Sequence, residues 1–273
     1  MDSQPLVISY CNSDEDNKHP NTQMFISTLI NNDWKYEMIG AGEVWNGFEC
    51  RMIAYMNVLK TLDKTQIVIL SDARDVVCIR NSRKFITEFK KCNKPIVVSM
   101  EMFAEGINSY DCNKTYFQVT WIEKYWKMYN IDYTNVIRKF VNLGLIAGYA
   151  GDLYTMLKWC IDNGYKDDQK GVGAYVNEFP HVIYADINAE LLHTTGAFIN
   201  GGVQYSEIQQ LDSPTLLELC GCKSFFLHVP GINTSAGQLF AYNSICNLLT
   251  NYNFNQQQLI KVYPTLPHSN MLL

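Results

Sequence analysis

The chain of 273 residues lacks several features that define large classes of proteins. It has no long run of lysine and arginine, and its net charge is −5, so it lacks the clustered positive charge on which nucleic-acid binding depends. No stretch reaches the roughly 18 consecutive apolar residues needed to span a bilayer. Residues 1–5 show no basic segment leading into an apolar one, as a signal peptide would. We therefore expect a cytoplasmic protein that binds no nucleic acid and has no membrane span.

The nine cysteines show no spacing typical of a structural zinc site, since the closest pair, Cys220 and Cys222, is separated by one residue. Reduced, mostly buried thiols are the expectation. Repeats, low-complexity blocks and linkers are also absent from the sequence. We predict one domain over residues 1–263 and a C-terminal tail over residues 264–273.

Apolar, β-branched runs alternate with segments of helical periodicity over the first 100 residues, which predicts a mixed sheet with helices on both faces. The pattern predicts strands at 6–10, 36–39, 65–71, 95–100, 143–149, 181–185 and 225–228. It predicts helices at 21–31, 47–61, 81–92, 152–164 and 238–251, with Asp152 as the N-cap of the fourth. The fold class is therefore α/β.

The strongest functional signal is a buried strand that ends in two carboxylates, Asp72 and Asp75. Open α/β sheets bind ligands at the carboxyl ends of their strands, and carboxylate oxygens suit a divalent cation. A second apolar strand ends in His228, so these three residues are candidate metal ligands. Two solvated turn acids and a histidine of the core are the structural alternatives.

Two further segments are candidates for ligand binding. In one of them, two adjacent acids are followed by an amide: Asp167, Asp168 and Gln169. Clustered carboxylates destabilise a protein unless cations neutralise them or hydrogen-bond donors bind them. An exposed helix N-terminus explains the same pattern. Arg51 follows a glycine-containing turn at 40–45 and can face a phosphate, or it is an ordinary helix residue.

Six segments occur in an order that resembles one family: 40–45 (GAGEVW), 71–76 (SDARDV), 99–103 (SMEMF), 140–148 (FVNLGLIAG), 167–169 (DDQ) and 227–228 (LH). Together they resemble the glycosyltransferase domain of the procollagen lysyl hydroxylase family, the collagen hydroxylysine glycosyltransferases, over about residues 6–248. The resemblance implies a GT-A-like, Rossmann-type fold that binds a nucleotide sugar. The chain departs from the family where Arg74 replaces an aromatic residue, in the segment 229–234, and in a shortened run of acids.

The resemblance also implies roles for single residues. Asp72, Asp75 and His228 would bind Mn²⁺ with the diphosphate of the donor, while Asp167 and Asp168 would act at the transferred sugar and the acceptor. The nucleotide-sugar site would take Tyr10 and Asn12 near the uridine and Asn142 and Gly144 near the sugar, and it would be completed by Arg51, Ala73, Arg74, Gln169 and Gly231.

The expected function is a Mn²⁺-dependent transfer of glucose or galactose from a UDP-sugar to an acceptor hydroxyl. The acceptor would be a glycan or a protein such as collagen-like hydroxylysine or galactosyl-hydroxylysine, and the family implies retention at the anomeric carbon. A UDP-sugar-binding protein without transfer activity is the alternative. A phosphatase with two acids after a strand needs the spacing D-x-D, whereas Asp72 and Asp75 are three apart. A homodimer stays open, and a viral source would place the protein in the host cytoplasm.

Overall fold

The computed structural model describes residues 3–102, 121–136, 138–194 and 224–228. The strands are β1 Leu6–Tyr10, β2 Lys35–Ile39, β3 Ile67–Ser71, β4 Val76–Cys78, β5 Ile96–Met102, β6 Arg138–Tyr149, β7 Ile183–Asp186, β8 Leu192–Thr194 and β9 Phe226–His228. The helices are α1 Asp14–Lys18, α2 Pro20–Asn31, α3 Phe48–Leu59, α4 Phe85–Lys91, α5 Glu123–Met128, α6 Ala150–Asp162 and α7 Asp168–Glu178. The predicted helix at 238–251, the tail at 264–273 and Gly231 lie outside the described residues.

The described strands form one mixed sheet in the order β2-β1-β3-β6-β5-β8-β9-β4, and β7 also pairs with β5. β2, β1 and β3 are parallel, whereas β6 runs antiparallel to both β3 and β5. At the far edge, β9 pairs parallel with β8 and antiparallel with β4. The predicted α/β class with a mixed sheet is confirmed.

Side chains alternate between two apolar clusters on the two faces of the sheet. In β1, Ile8 joins one cluster and Val7 the other, and Val68 and Ile69 divide in the same way in β3. Helices α3, α6 and α7 pack on the first face, and α2 and α4 pack on the second. The sheet is therefore covered on both sides, which explains why its central strands are apolar throughout rather than alternating with polar residues.

Several details differ from the prediction. Tyr149, not Asp152, is the N-cap of α6, so the predicted cap is wrong, and Asp152 lies in the first turn, where a carboxylate suits the helix dipole. Helix α1 lies in a segment for which neither a helix nor a strand is predicted, and β4 and β8 have three residues each, too few to show periodicity. Within the described ranges, no helix has the length and apolar character needed to span a bilayer.

The aromatic segment around Trp121 and Trp126 belongs mainly to the core. Trp126 is 2% exposed, and Trp121 packs partly buried against Tyr133 and Phe140. The cysteines among the described residues are free: Cys11, Cys50, Cys78, Cys92 and Cys160.

Strand β6 contains an irregularity that shapes the candidate site. Val98 of β5 pairs with Ile146, but the next residue, Ser99, pairs with Asn142. Residues 143–145 therefore leave the β5 ladder, and within them Leu145 pairs with Ser71 at the end of β3. This bulge carries Gly144 to the edge of the sheet at which β3 ends.

Candidate active site

Three separate segments bring the predicted metal ligands together. Asp72 follows β3 directly, and Asp75 immediately precedes β4, whose first residue, Val76, pairs with His228 of β9. One ligand atom from each of Asp72, Asp75 and His228 lies within 4.8 Å of the others. The imidazole Nε2 of His228 lies 3.5 Å from Asp75 Oδ2 and 3.9 Å from Asp72 Oδ2.

The electrostatics of this cluster suit a cation. His228 is 2% exposed, and although burial lowers its pKa, the carboxylates of Asp75, Asp72 and Glu101 outweigh that effect and raise the pKa above its usual value. Two carboxylate oxygens and one imidazole nitrogen form a mixed donor set that is compatible with a divalent metal ion.

Gly144 contacts the cluster of candidate metal ligands, Asp72, Asp75 and His228, on two sides. Its carbonyl oxygen accepts a hydrogen bond from Asp72 N at 2.9 Å. A Cβ atom at this position would lie 2.1 Å from Cε1 of His228 and 2.5 Å from Nδ1. The resemblance implies a place near the sugar for Gly144, and the structure shows that its lack of a side chain makes room for the imidazole.

Arg51 of α3 joins two of the predicted site acids. Its Nη1 donates to Asp72 Oδ1 at 2.5 Å, and its Nε donates to Asp168 Oδ2 at 2.8 Å, with a second, short contact from Nη2 to the same oxygen. Asp168 is 3% exposed. Burial lowers the pKa of Arg51, but Asp168 and Asp72 raise it well above its usual range, so the guanidinium stays charged. Because Arg51 holds Oδ1 of Asp72, Oδ2 is the oxygen left to face His228.

Asp167 has a structural role in this conformation. It is the N-cap of α7, and its carboxylate accepts a hydrogen bond from Lys170 N at 2.9 Å. Gln169 is the second residue of α7, directly after Asp168. Its Nε2 atom is buried and has no hydrogen-bond partner among the described residues. An amide donor in that state is costly unless a further acceptor reaches it.

The two residues predicted near the uridine, Tyr10 and Asn12, lie at the end of β1. Gly40 packs against the ring of Tyr10, where a Cβ would come within 2.5 Å of the ring. Asn12 donates from Nδ2 to the Glu43 carbonyl at 3.2 Å, which ties the 40–45 turn to the end of β1.

The two residues between the metal-ligand acids face different surroundings. Ala73 is buried in the second apolar cluster. Arg74 donates from Nη1 to Asp16 of α1 at 3.1 Å.

Sequence reasoning assigned no role to Glu101, although it lies in the segment 99–103 that carries the resemblance. Glu101 is 1% exposed, and burial raises its pKa to about 7, opposed by the hydrogen bond from Asn142 and by His228. Asn142 Nδ2 donates to Glu101 Oε2 at 2.9 Å, while Asn142 Oδ1 accepts from Gly144 N at 2.8 Å. Asn142 thus links a buried carboxyl group to the glycine beside His228.

Comparison with solved structures finds a similar fold. The crystal structure of a glycosyltransferase involved in the glycosylation of the major capsid of PBCV-1 matches with a TM-score of 0.51 over 88% of this chain and 99% of that chain. The fold is GT-A-like. The sequence identity is 13%, so the likeness concerns the fold alone. No family model matches the chain, and no curated protein matches it. The resemblance to the lysyl hydroxylase family therefore stays a prediction.

Proposed function

We propose that this protein is a metal-dependent glycosyltransferase that moves glucose or galactose from a UDP-sugar to an acceptor hydroxyl. The observation that carries the proposal is the cluster of Asp72, Asp75 and His228 at the carboxyl end of a central strand in a GT-A-like fold. Open α/β sheets bind ligands at this edge. The mixed oxygen and nitrogen donors fit Mn²⁺, which is the cofactor we propose.

Asp72, Asp75 and His228 would hold the metal ion, which when bound neutralises the negative charge that develops on the leaving diphosphate. Asp168 would stabilise positive charge at the anomeric carbon, and the contact with Arg51 keeps its carboxylate fixed in orientation. Asp167 would contribute at the acceptor. Arg51 also orients Asp72, so one guanidinium would align a metal ligand and a catalytic acid.

The donor site would use residues from the ends of β1 and β3 and from the bulge within β6. Tyr10 and Asn12 would lie near the uridine, and Asn142 and Gly144 near the sugar. Nε2 of Gln169 has no hydrogen-bond partner in the part of the chain that the structure describes, which supports a role in donor binding, because an oxygen of the sugar or diphosphate would satisfy it. The rest of the proposed donor site comprises Arg51, Ala73, Arg74 and Gly231.

The identity of the acceptor is the most specific part of the proposal, and it rests on the resemblance alone. Collagen-like hydroxylysine, galactosyl-hydroxylysine or a glycan hydroxyl would fit it. A cytoplasmic location stays a prediction from the sequence, and the oligomeric state stays open.

A second candidate is a UDP-sugar-binding protein without transfer activity. It is favoured because both proposed catalytic acids already have bonding partners: Asp167 caps α7, and Asp168 is ion-paired with Arg51. In this case the metal cluster and the donor site would bind UDP-sugar, but no carboxylate would be available for transfer.

Binding of UDP with and without Mn²⁺ tests the common part of both candidates. Titration calorimetry should show Mn²⁺-dependent UDP binding in the wild-type protein, and Asp75→Asn should abolish that dependence because it removes a charged ligand. Asp162→Asn is the matched control, since Asp162 is exposed and pairs with Lys158 at the end of α6. Unchanged Mn²⁺-dependent binding in Asp75→Asn would refute the proposed site.

Turnover separates the two candidates. UDP-sugar consumption that depends on Asp168 supports the transferase, whereas tight UDP binding without turnover of any donor supports the binding protein.

A further inference from the structure

A line of buried polar side chains runs behind the metal-ligand cluster, from His228 into the sheet. It comprises Thr194, Ser99 and Asn142, all of them 5% exposed or less. Thr194 pairs with His228 across β8 and β9, and Ser99 pairs with Asn142 across β5 and β6. Sheet register thus sets the members of each pair side by side, and a contact between the Ser99 and Thr194 hydroxyls joins the two pairs across β5 and β8.

The hydrogen bonds along this line have a single consistent direction. Ser99 Oγ donates to the Asn142 carbonyl oxygen at 3.0 Å, and a carbonyl can only accept. The one hydroxyl proton of Ser99 is thereby used, so in the 2.9 Å contact between Ser99 Oγ and Thr194 Oγ1 the donor is Thr194. The hydroxyl proton of Thr194 is used in turn, so in the 3.4 Å contact with His228 Nδ1 the imidazole donates.

This direction decides which nitrogen of His228 is available to a metal ion. A neutral imidazole carries one N–H, and if Nδ1 carries it, Nε2 has the free lone pair. Nε2 is the nitrogen that faces Asp75 and Asp72. Metal-binding histidines generally donate their other N–H to a neighbouring acceptor, which fixes the tautomer and the ring orientation.

We propose that Thr194 is a positioning residue that holds His228 as the Nδ1–H donor, with Ser99 setting the direction of the Thr194 hydroxyl, so that Nε2 is directed to a divalent metal ion. The part that concerns the metal rests on the proposed function. The part that concerns the imidazole rests on the hydrogen bonds alone. Neither Thr194 nor Ser99 touches the metal or the substrate in this proposal.

Three variants test it. Thr194→Val keeps the shape of the side chain but leaves Nδ1–H facing a methyl group, whereas Thr194→Ser restores the hydroxyl. Thr28→Val is the matched control, because Thr28 is also 1% exposed and hydrogen-bonded, to Phe25 O and Cys78 N.

Two readouts are measured on the purified full chain. The first is the dissociation constant for Mn²⁺ alone, from its electron paramagnetic resonance signal. Thr194→Val should weaken binding about 10–100-fold, the usual effect of losing a partner of a metal-binding histidine. Thr194→Ser and Thr28→Val should bind close to the wild-type value. Unchanged Mn²⁺ affinity in Thr194→Val would overturn the proposal.

The second readout is the Nδ1–H proton of His228 in the metal-free protein, observed by ¹⁵N-histidine NMR and assigned by its loss in His228→Gln. A slowly exchanging signal is expected in the wild type and in Thr194→Ser, and its loss is expected in Thr194→Val. If the wild type binds no Mn²⁺, the metal site fails, yet this signal still decides the role of Thr194. Its absence from the wild type, or its persistence in Thr194→Val, would refute that role.

If Thr194→Val does not fold, Ser99→Ala takes its place. That change lies outside the contact with His228 and frees the Thr194 hydroxyl to turn its proton toward Nδ1. A smaller loss of Mn²⁺ affinity is then expected, and no loss would contradict the proposal.

Discussion

Substitution of Gly144 by alanine should disable the proposed metal site while leaving the sheet in place. The new Cβ would lie 2.1 Å from Cε1 of His228, 2.5 Å from Nδ1 and 2.7 Å from Nε2. Ordinary contact begins near 3.4 Å, so the imidazole has to move by about 1.3 Å. Metal-ligand distances tolerate about 0.2 Å, and the displaced ring therefore leaves the coordination distance.

The expected loss of Mn²⁺ affinity in Gly144→Ala is about 100-fold or more, since changes in residues that only support a ligand already cost about 10–100-fold. Overpacking should also lower the free energy of unfolding by about 1–3 kcal/mol. Titration calorimetry with Mn²⁺ measures the first effect, and urea unfolding measures the second.

Gly148→Ala is the control for overpacking in the same strand. A Cβ there would meet Pro95 O at 2.9 Å and the Leu153 side chain at 3.0 Å, away from His228. It should lower stability without changing Mn²⁺ affinity. Wild-type Mn²⁺ affinity in Gly144→Ala, or an equal loss in both variants, would refute the reasoning that Gly144 acts through the imidazole.

Two further predictions concern stability. Arg51→Ala should lower the free energy of unfolding, measured by urea unfolding, by about 3–5 kcal/mol, because it leaves the buried carboxylate of Asp168 without its partner. Adding Asp168→Asn to the same chain should recover part of the loss. Glu49→Gln at the exposed pair with Lys166 is the control and should cost ~1 kcal/mol; a cost for Arg51→Ala no greater than that would contradict the prediction. His19 caps α2 by accepting a hydrogen bond from Asn21 N, and burial, followed by Arg74, lowers the pKa of His19, so the cap's contribution is present above the unfolded pKa of 6.5 and is lost as pH falls through the lower folded value. Relative to His19→Asn, the free energy of unfolding of the wild type should fall by about 0.5–1 kcal/mol below that range. Urea unfolding at a series of pH values measures the difference, and a difference that does not change with pH would contradict the prediction.

Local patterns in the sequence were sufficient for most of the fold. The bounds predicted for β1 are those it has, because three aliphatic residues, Ser9 and a tyrosine form a short run between polar segments. Asp72, Asp75 and His228 were proposed together because each lies at a strand end, and parallel and antiparallel pairing then brought those ends to one edge. Periodicity and strand-end chemistry are local properties, so a single sequence reveals them.

The contacts that define the site depend on distant residues. Arg51 and Asp168 are 117 positions apart, and nothing in either local pattern predicts their pairing. The bulge at 143–145 follows from a change of pairing partner between β5 and β3, which periodicity does not encode. Thr194 lies in a three-residue strand, and its contact with His228 exists only because β8 and β9 are neighbours in the sheet.

The most direct test of the proposed transfer is the release of UDP from each common UDP-sugar, with and without Mn²⁺, by the wild-type protein and by Asp75→Asn. The account predicts slow, metal-dependent release from one donor, UDP-glucose or UDP-galactose, even without an acceptor, and none in Asp75→Asn. Release that is independent of Mn²⁺ and of Asp75, or no release from any donor together with no Mn²⁺-dependent UDP binding, would contradict it.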